Sequence, residues 1–198
     1  AERRAIWPAV IALIRAEIQA CIALGAKEIQ LDLPHVAMGL VDAQAGWTTE
    51  TAVAIIRAIF ADLPAIRRSI HLCYGDFMAQ SWTTNRTFHP LLPMIQALDG
   101  VVDRLVLEFS LPEQWAERAL LAQIPASMEV AAGIIDVKAP TIESVAEVAS
   151  KIEELLRYVP ANRLLICPSC GLGRRDTALA MGKATVMVQA VHQVNQAL

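Results

Sequence analysis

The stretch SIHLCYGDF, residues 69–77, places a histidine and a cysteine two positions apart at the end of an apolar run. With the two arginines before it, the segment RRSIHLC has the length and composition of a short buried strand. In a strand, residues i and i+2 point to the same face, so His71 and Cys73 are expected to point to one place. That geometry suits two metal ligands, but two unrelated core residues would give the same pattern.

The sequence around this stretch alternates short apolar runs with longer helical patterns. Five runs predict strands: AKEIQLDLP, RRSIHLC, DRLVLEF, ASMEVAAGIIDV and NRLLIC. Six segments have the apolar spacing of helices, namely 5–24, 49–63, 90–98, 112–124, 141–159 and 174–196. Strand–helix alternation with short connections is typical of parallel β/α units. We therefore predict an α/β fold with about five strands and six helices.

The composition narrows the class of protein. The chain has 198 residues, a hydrophobic fraction of 55% and a net charge of −3. This length suits one domain, predicted over residues 1–198. The charge gives no reason to expect nucleic acid or an anionic membrane as a partner, and no run of eighteen uncharged apolar residues predicts a transmembrane helix. Four cysteines in a chain this long do not resemble a disulfide scaffold, so thiol or metal chemistry in a reducing cytoplasm is expected.

Chemically reactive residues collect where the predicted strands end. In chain order they are Asp32, then His71 with Cys73, then Glu108, then Asp136 with Lys138, and finally Cys167 with Cys170. In parallel α/β folds, function collects at the carboxyl ends of the strands. Each residue alone has an ordinary explanation in core packing or in pairing with a helix arginine. The joint pattern predicts a functional site at one edge of the sheet.

Four of these residues match the ligand preferences of zinc, which binds nitrogen, sulfur and carboxylate oxygen in a tetrahedron. They are His71, Cys73, Glu108 and Cys170. Ligands on separate strands converge only if the sheet curves, as at the mouth of a barrel. A carboxylate is the most easily displaced of the four ligands, so a substrate thiol could take its place. A redox pair formed by Cys167 and Cys170 is an alternative interpretation of CPSC.

Five segments together resemble a known family. IQLDLP, HLCYGDF, VLEFS, GIIDVKAP and CPSCGLGRR have the order and spacing of the C-terminal catalytic barrel of cobalamin-independent methionine synthase. The resemblance covers nearly the whole chain. It implies a zinc ion held at the positions of the four ligands named above, and transfer of a methyl group to the thiol of homocysteine. The implied donor is a methylated folate or a methylated corrinoid.

The resemblance also implies roles for other residues. Asp32 matches an aspartate that holds the amino group of homocysteine, and His35 lies close enough in sequence to contact the substrate. Asp136 matches the aspartate before the family's catalytic histidine, and Lys138 occupies that histidine's position. A lysine there departs from the folate-dependent pattern, and it could instead bind a sulfonate. An alternative function is therefore alkyl transfer of the epoxyalkane:coenzyme M transferase type.

The chain departs from the family in length as well. A closed (β/α)8 barrel has eight strands, and the five visible strands correspond to the fourth through eighth. We therefore predict a partial TIM barrel with two unpaired strand edges, near residues 28–32 and 163–167. A second copy of the chain, or a partner chain, is expected to complete the barrel unless the sequence is a fragment. A further alternative is a zinc-binding subunit that is inactive alone.

Overall fold

The structure, a computed structural model, describes residues 6–198 and has one sheet at its centre. All four strand pairings are parallel, and the spatial order of the strands is their order along the chain. The strands are β1 Glu28–Asp32, β2 Arg67–Leu72, β3 Arg104–Glu108, β4 Glu129–Ile135 and β5 Leu164–Pro168. Every predicted strand is present: β2 begins at its predicted residue, and the other four begin one to three residues after theirs.

Seven α-helices lie within the described residues, one more than the six predicted. They are α1 Trp7–Ala23, α2 Pro34–Val41, α3 Thr49–Phe60, α4 Leu92–Ala97, α5 Pro112–Ala116, α6 Val145–Leu155 and α7 Thr177–Asn195. The unpredicted helix is α2, which begins at Pro34, where the fixed φ of proline suits a first turn. The predicted helix over 112–124 divides into α5 and a 3₁₀ helix at Arg118–Gln123. Residue 5, the predicted start of the first helix, lies outside the described residues.

Helix α6 begins four residues later than predicted, because Ser144 caps it. The Ser144 hydroxyl accepts a hydrogen bond from the Glu147 amide at 3.2 Å, and the Glu147 carboxylate accepts one from the Ser144 amide at 2.8 Å. This reciprocal arrangement is a capping box and ends the helix on its N-terminal side. The residues before it instead bond to the end of β4, where the Glu143 carboxylate accepts from the Asp136 amide at 2.8 Å.

Alternate strand residues point to opposite faces of the sheet, as the two-residue period requires. The outward set packs with the helices in the apolar core and includes Ile70, Leu72, Leu105, Leu107, Val130 and Ala132. The inward set is mixed in character and includes Ser69, His71, Arg104, Val106 and Glu108. The polar residues that the sequence singles out therefore lie on the inner face, away from the helices.

The sheet curves around this inner face. Cys73 follows β2 and Cys170 follows β5, so a flat sheet with strands ~4.8 Å apart would separate them by about 14 Å. Their sulfur atoms instead lie within 4.8 Å of each other. Residues of β1, β2, β3 and β5 also line one shared cavity of about 350 Å³. The curvature is that of a barrel wall, which confirms the predicted α/β partial (β/α)8 barrel.

The sheet has two free edges within the described residues. There β1 pairs only with β2, and β5 pairs only with β4. Among the helices of residues 6–198, none combines the length and the apolar character needed to cross a membrane.

Candidate metal centre

Three of the four predicted metal ligands lie together at the carboxyl end of the sheet. One ring nitrogen of His71 and the sulfur atoms of Cys73 and Cys170 all lie within 4.8 Å of one another. His71 and Cys73 are 5% and 1% exposed, and Cys170 is half-buried. The two-residue period of β2 directs the first pair inward, and the turn after β5 brings Cys170 to them. We call these three residues the His/Cys cluster.

The imidazole of His71 indicates what the cluster can bind. Both of its ring nitrogens are buried, and among the described residues neither meets a hydrogen-bond partner at normal geometry. A buried polar group without a partner destabilises a fold by about 1–3 kcal/mol, so it needs an explanation. One nitrogen and two sulfur donors form a ligand set that zinc prefers in proteins. The cluster therefore fits a zinc ion.

The two thiols of the cluster differ in pKa. Cys73 and, after it, His71 lie beside the Cys170 sulfur and lower the pKa of that thiol. The neighbouring Cys170, followed by burial, raises the pKa of Cys73. Cys170 is therefore the thiol of the pair that ionises more readily, and the thiolate is the form that binds metals.

Glu108, the fourth predicted ligand, lies outside the His/Cys cluster. Its side chain is fully buried, and one carboxylate oxygen forms an ion pair with the Lys138 ammonium. The other oxygen accepts a long hydrogen bond, 3.4 Å, from the Tyr74 amide. The Lys138 side chain is itself only 7% exposed. The structure thus brings a predicted ligand into contact with a predicted catalytic residue, and the ligand role of Glu108 stays a prediction.

Asp136 lies just after β4 in a loop held by successive hydrogen bonds. Its carboxylate accepts from the Lys138 amide at 2.8 Å, and its own amide donates to the Glu143 carboxylate at 2.8 Å. The other Glu143 oxygen is 3.0 Å from the ammonium of Lys183, a fully buried residue of α7. Sequence reasoning missed both Glu143 and Lys183, and the one signal for Lys183 was a lysine within an apolar helix. Their contacts fix the position of the loop that carries Asp136 and Lys138.

Of the two predicted substrate-binding residues, Asp32 lines a cavity together with cluster residues, and His35 lies further along in α2. Asp32 pairs in register with His71; the residue is exposed, and partial desolvation is the main cause that raises the pKa of its carboxyl group. His35, an exposed residue of α2, packs its ring on Trp82 with the ring centres 5.2 Å apart. A cavity of about 390 Å³ is lined by residues that include Asp32, Cys73, Trp82, Cys170 and Arg174. A small molecule in this cavity would contact two cluster residues and Asp32 together.

Three loops at this end of the sheet are joined by one arginine that sequence reasoning missed. The Arg175 guanidinium forms an ion pair with Asp76, and it donates a hydrogen bond to the carbonyl of Val137. The side chains of Arg175 and Asp76 are only 9% and 5% exposed. In β4, a Cβ on Gly133 would lie 2.7 Å from the Cα of Ser169, so glycine permits the close approach of the turn that carries Cys170.

Cys167, the alternative redox partner of Cys170, lies within β5. Burial raises the pKa of its thiol to about 12, whereas cysteines in redox pairs typically have a lowered pKa. All four cysteines of the chain are free. The geometry groups Cys170 with the other cluster residues and gives the redox interpretation no support.

Comparisons with known proteins show which protein family this chain resembles. The family described as "Cobalamin-independent synthase, Catalytic domain" matches residues 1–193. The 5-methyltetrahydropteroyltriglutamate–homocysteine methyltransferase of Herpetosiphon aurantiacus is 28% identical over 197 residues, which cover 97% of this chain and 24% of that protein. The methionine synthase of Saccharolobus islandicus is 28% identical over 185 residues, covering 93% of this chain and 49% of that protein.

A solved structure gives the same result for the fold. The B12-independent methionine synthase of a Shewanella species, in complex with selenomethionine, aligns with a TM-score of 0.81 at 22% identity, covering 99% of this chain and 56% of that one. The chain thus spans between a quarter and a half of the length of these curated relatives. The resemblance inferred from the sequence is confirmed, because the family match extends over nearly the whole chain. The chain belongs to the catalytic-domain family of the cobalamin-independent methionine synthases.

Proposed function

We propose that this protein is a zinc-dependent methyltransferase that transfers a methyl group to a thiol, with homocysteine as the acceptor. One observation carries the proposal. The buried His71 imidazole has no hydrogen-bond partner among the described residues, and it lies beside the thiols of Cys73 and Cys170. These three residues would hold the zinc ion; Glu108, the fourth ligand predicted from the sequence, lies in an ion pair with Lys138.

The chemistry of this donor set supports a catalytic role. Bound zinc lowers the pKa of a thiol that reaches it and so supplies a thiolate nucleophile near neutral pH. Catalytic zinc sites keep three protein ligands and one open position, which is the number of ligands in the His/Cys cluster. The cavity beside Cys73 and Cys170 offers a substrate thiol a route to that position.

The surroundings of the cluster support an amino-acid thiol as the acceptor. Asp32 is an exposed residue that lines the cavity beside the cluster, and partial desolvation raises the pKa of its carboxyl group, so a cation bound beside it would offset the cost of ionising it. The amino group of homocysteine is such a cation, and His35 would contact the same substrate. The names of the relatives from Herpetosiphon and Saccharolobus support homocysteine as the acceptor.

Fewer observations bear on the identity of the methyl donor. The name of the Herpetosiphon relative supports a methylated folate, and a methylated corrinoid is the alternative donor. From the sequence, Asp136 and Lys138 are the predicted catalytic residues. Because the Lys138 ammonium is paired with Glu108, it has no free charge for a sulfonate, and this favours homocysteine over coenzyme M.

Metal content is the first test of the proposal. We expect about one zinc ion per chain in protein purified without added metal, and loss of that zinc in Cys73→Ser. Cys21→Ser is the matched control, because Cys21 is an exposed cysteine of α1 and should leave the zinc content unchanged. A folded wild-type protein without zinc, or equal zinc in all three proteins, would contradict the proposal.

Methyl transfer is then measured with homocysteine and with coenzyme M, and the acceptor that supports turnover identifies the thiol. The free edges of β1 and β5 can pair with strands of a second copy, of a partner chain, or of a longer protein of which this chain is a piece. Light scattering on the same sample measures its mass, and a stable monomer would contradict a second copy. The cytoplasmic location stays a prediction, in keeping with four unpaired cysteines.

A further inference from the structure

We infer that Lys138 is a positioning residue that holds the Glu108 carboxylate off the metal centre. In the presence of Lys138, the metal would have three protein ligands and an open position for the thiol. The inference rests on the proposed metal site at the His/Cys cluster. It adds that Lys138 determines whether Glu108 can become the fourth ligand of the metal. It also assigns to Lys138 a role through Glu108, in place of direct contact with the substrate.

The burial of the ion pair is the first observation. Glu108 is fully buried, and the Lys138 side chain is 7% exposed, so water solvates neither charge well. A buried carboxylate is stable in its ionised form only beside a cation that compensates its lost hydration. Two cations are within reach of such a role here, the Lys138 ammonium and a metal ion in the cluster. In this structure the Glu108 carboxylate is paired with the Lys138 ammonium.

The placement of Glu108 is the second observation. Glu108 ends β3 and points to the same inner face as His71 on the neighbouring β2. Its second oxygen faces the amide of Tyr74, the residue directly after Cys73, across a long hydrogen bond of 3.4 Å. The carboxylate is thus beside the cluster but outside it. On the cluster side, only this weak bond holds it among the described residues.

The rigidity of Lys138 is the third observation. Its amide donates to the Asp136 carboxylate at 2.8 Å, and the Asp136 amide donates to Glu143 at 2.8 Å. Glu143 is bonded in turn to the buried Lys183 of α7. This chain of contacts fixes the Lys138 backbone, and the burial of the side chain, 7% exposed, limits the space in which its ammonium could follow the carboxylate. Coordination by Glu108 would therefore break the ion pair and leave a buried, unpaired ammonium.

A competition follows from these three observations. The metal and Lys138 compete for one carboxylate, and the charge of Lys138 weakens metal binding relative to a neutral side chain of similar size. Lys138→Met should therefore free Glu108 to become the fourth ligand. The tighter metal site would then lose its open position for the substrate thiol.

The test is a titration with cobalt(II), a spectroscopic substitute for zinc, into wild type, Lys138→Met, Glu108→Gln and the double variant. We expect Lys138→Met to bind cobalt about 10–100-fold more tightly than wild type, the range seen when the surroundings of metal ligands change. The double variant should return to within about threefold of wild type, because no carboxylate remains. Lys138→Arg, which keeps the charge, should bind like wild type.

The visible absorption bands of bound cobalt report its ligands independently of affinity. We expect Lys138→Met to differ from wild type in these bands, and the double variant to resemble wild type. Equal affinity and equal bands in wild type and Lys138→Met would overturn the inference. A large loss of affinity in the double variant relative to wild type would also overturn it, since Glu108 would then be a ligand with Lys138 in place.

The outcome separates this inference from the proposed function. If no protein shows the thiolate-to-cobalt charge-transfer band, the metal site itself is wrong, and the inference falls with it. If all show that band but the variants do not differ, the metal site stands and only the role of Lys138 is wrong. The double variant keeps the core neutral, so the comparison survives if Glu108→Gln alone fails to fold.

Discussion

The two ends of the inner face of the sheet differ in how their polar groups are paired. At the amino end, the Arg104 guanidinium donates to both Glu28 oxygens at 2.8 Å and to Glu129 at 2.9 Å. The Ser69 hydroxyl donates to Glu28 at 2.5 Å. Every charge in this group of four residues has an opposite charge beside it. We call this group the amino-end network.

The carboxyl end of the face begins at His71, two residues after Ser69 on β2. There the polar atoms of the His/Cys cluster have no oppositely charged partners within residues 6–198. Neither ring nitrogen of His71 has a partner among the described residues, and the neighbouring thiols of Cys73 and Cys170 have pKa values shifted in opposite directions. In barrels of parallel β/α units, the carboxyl ends of the strands carry function and the amino ends contribute stability. On this inner face, every charge of the stabilising end is paired, whereas the functional end holds both an ion pair, Lys138 with Glu108, and an imidazole, His71, without a partner among the described residues.

The largest expected effect comes from breaking the amino-end network. Arg104→Met leaves two partly buried carboxylates, Glu28 and Glu129, without their main cation, and we expect a loss of about 3 kcal/mol in the free energy of unfolding. Urea unfolding measures this loss, and metal binding at the other end should not change. Arg67→Met is the control, because this exposed arginine is 3.7 Å from Glu129 and should contribute less than about 1 kcal/mol. Equal losses of unfolding free energy in both variants would show that the amino-end network contributes no more to stability than an exposed ion pair.

A smaller effect of opposite sign is expected at the carboxyl end. His71→Leu replaces a buried imidazole that lacks partners, so we expect the metal-free protein to gain about 1 kcal/mol in the free energy of unfolding. The same variant should lose its bound metal. Urea unfolding in the presence of a chelator tests the first result, and metal analysis tests the second. His192→Leu, at an exposed position of α7, should change neither quantity, and a destabilised His71→Leu protein would contradict the comparison.

The smallest effect is in the response to pH, where two aspartates have pKa shifts of opposite sign. Hydrogen bonds from Arg68 lower the pKa of Asp103 from 3.8, so its contribution to stability is present above this value and is lost as the pH falls. Burial raises the pKa of Asp32, so its protonated form favours folding, and that contribution is lost as the pH rises through the folded-state pKa. Asp103→Asn should therefore destabilise the protein at neutral pH, whereas Asp32→Asn should stabilise it.

Both of these differences should shrink in acid, because the carboxyl groups are then protonated in the folded and unfolded states alike. Carboxyl resonances in NMR titrations give the two pKa values directly. Asp103 should titrate below Asp32, and the reverse order would contradict the contrast between the two ends.

Local patterns explain why much of the fold and part of the site could be predicted. Strand–helix alternation depends on the spacing of apolar residues within each segment, so all five strands were found. His71 and Cys73 are two residues apart on one strand, and the two-residue period fixes their common direction. Helix α2 was missed because its eight residues are too few for a clear helical pattern, and its start at Pro34 was the one signal.

By itself, the sequence determined which residue types stand at each strand end, and therefore that nitrogen and sulfur donors would gather at one edge of the sheet. Only the tertiary structure decided how they are paired. Lys138 bonds to Glu108 across 30 residues, Lys183 to Glu143 across 40, and Arg175 to Asp76 across 99. The physical reason is that the choice of an ionic partner depends on distance and burial in three dimensions. Local spacing directs a side chain to a face of the sheet, but the curvature of the sheet determines which charges meet there.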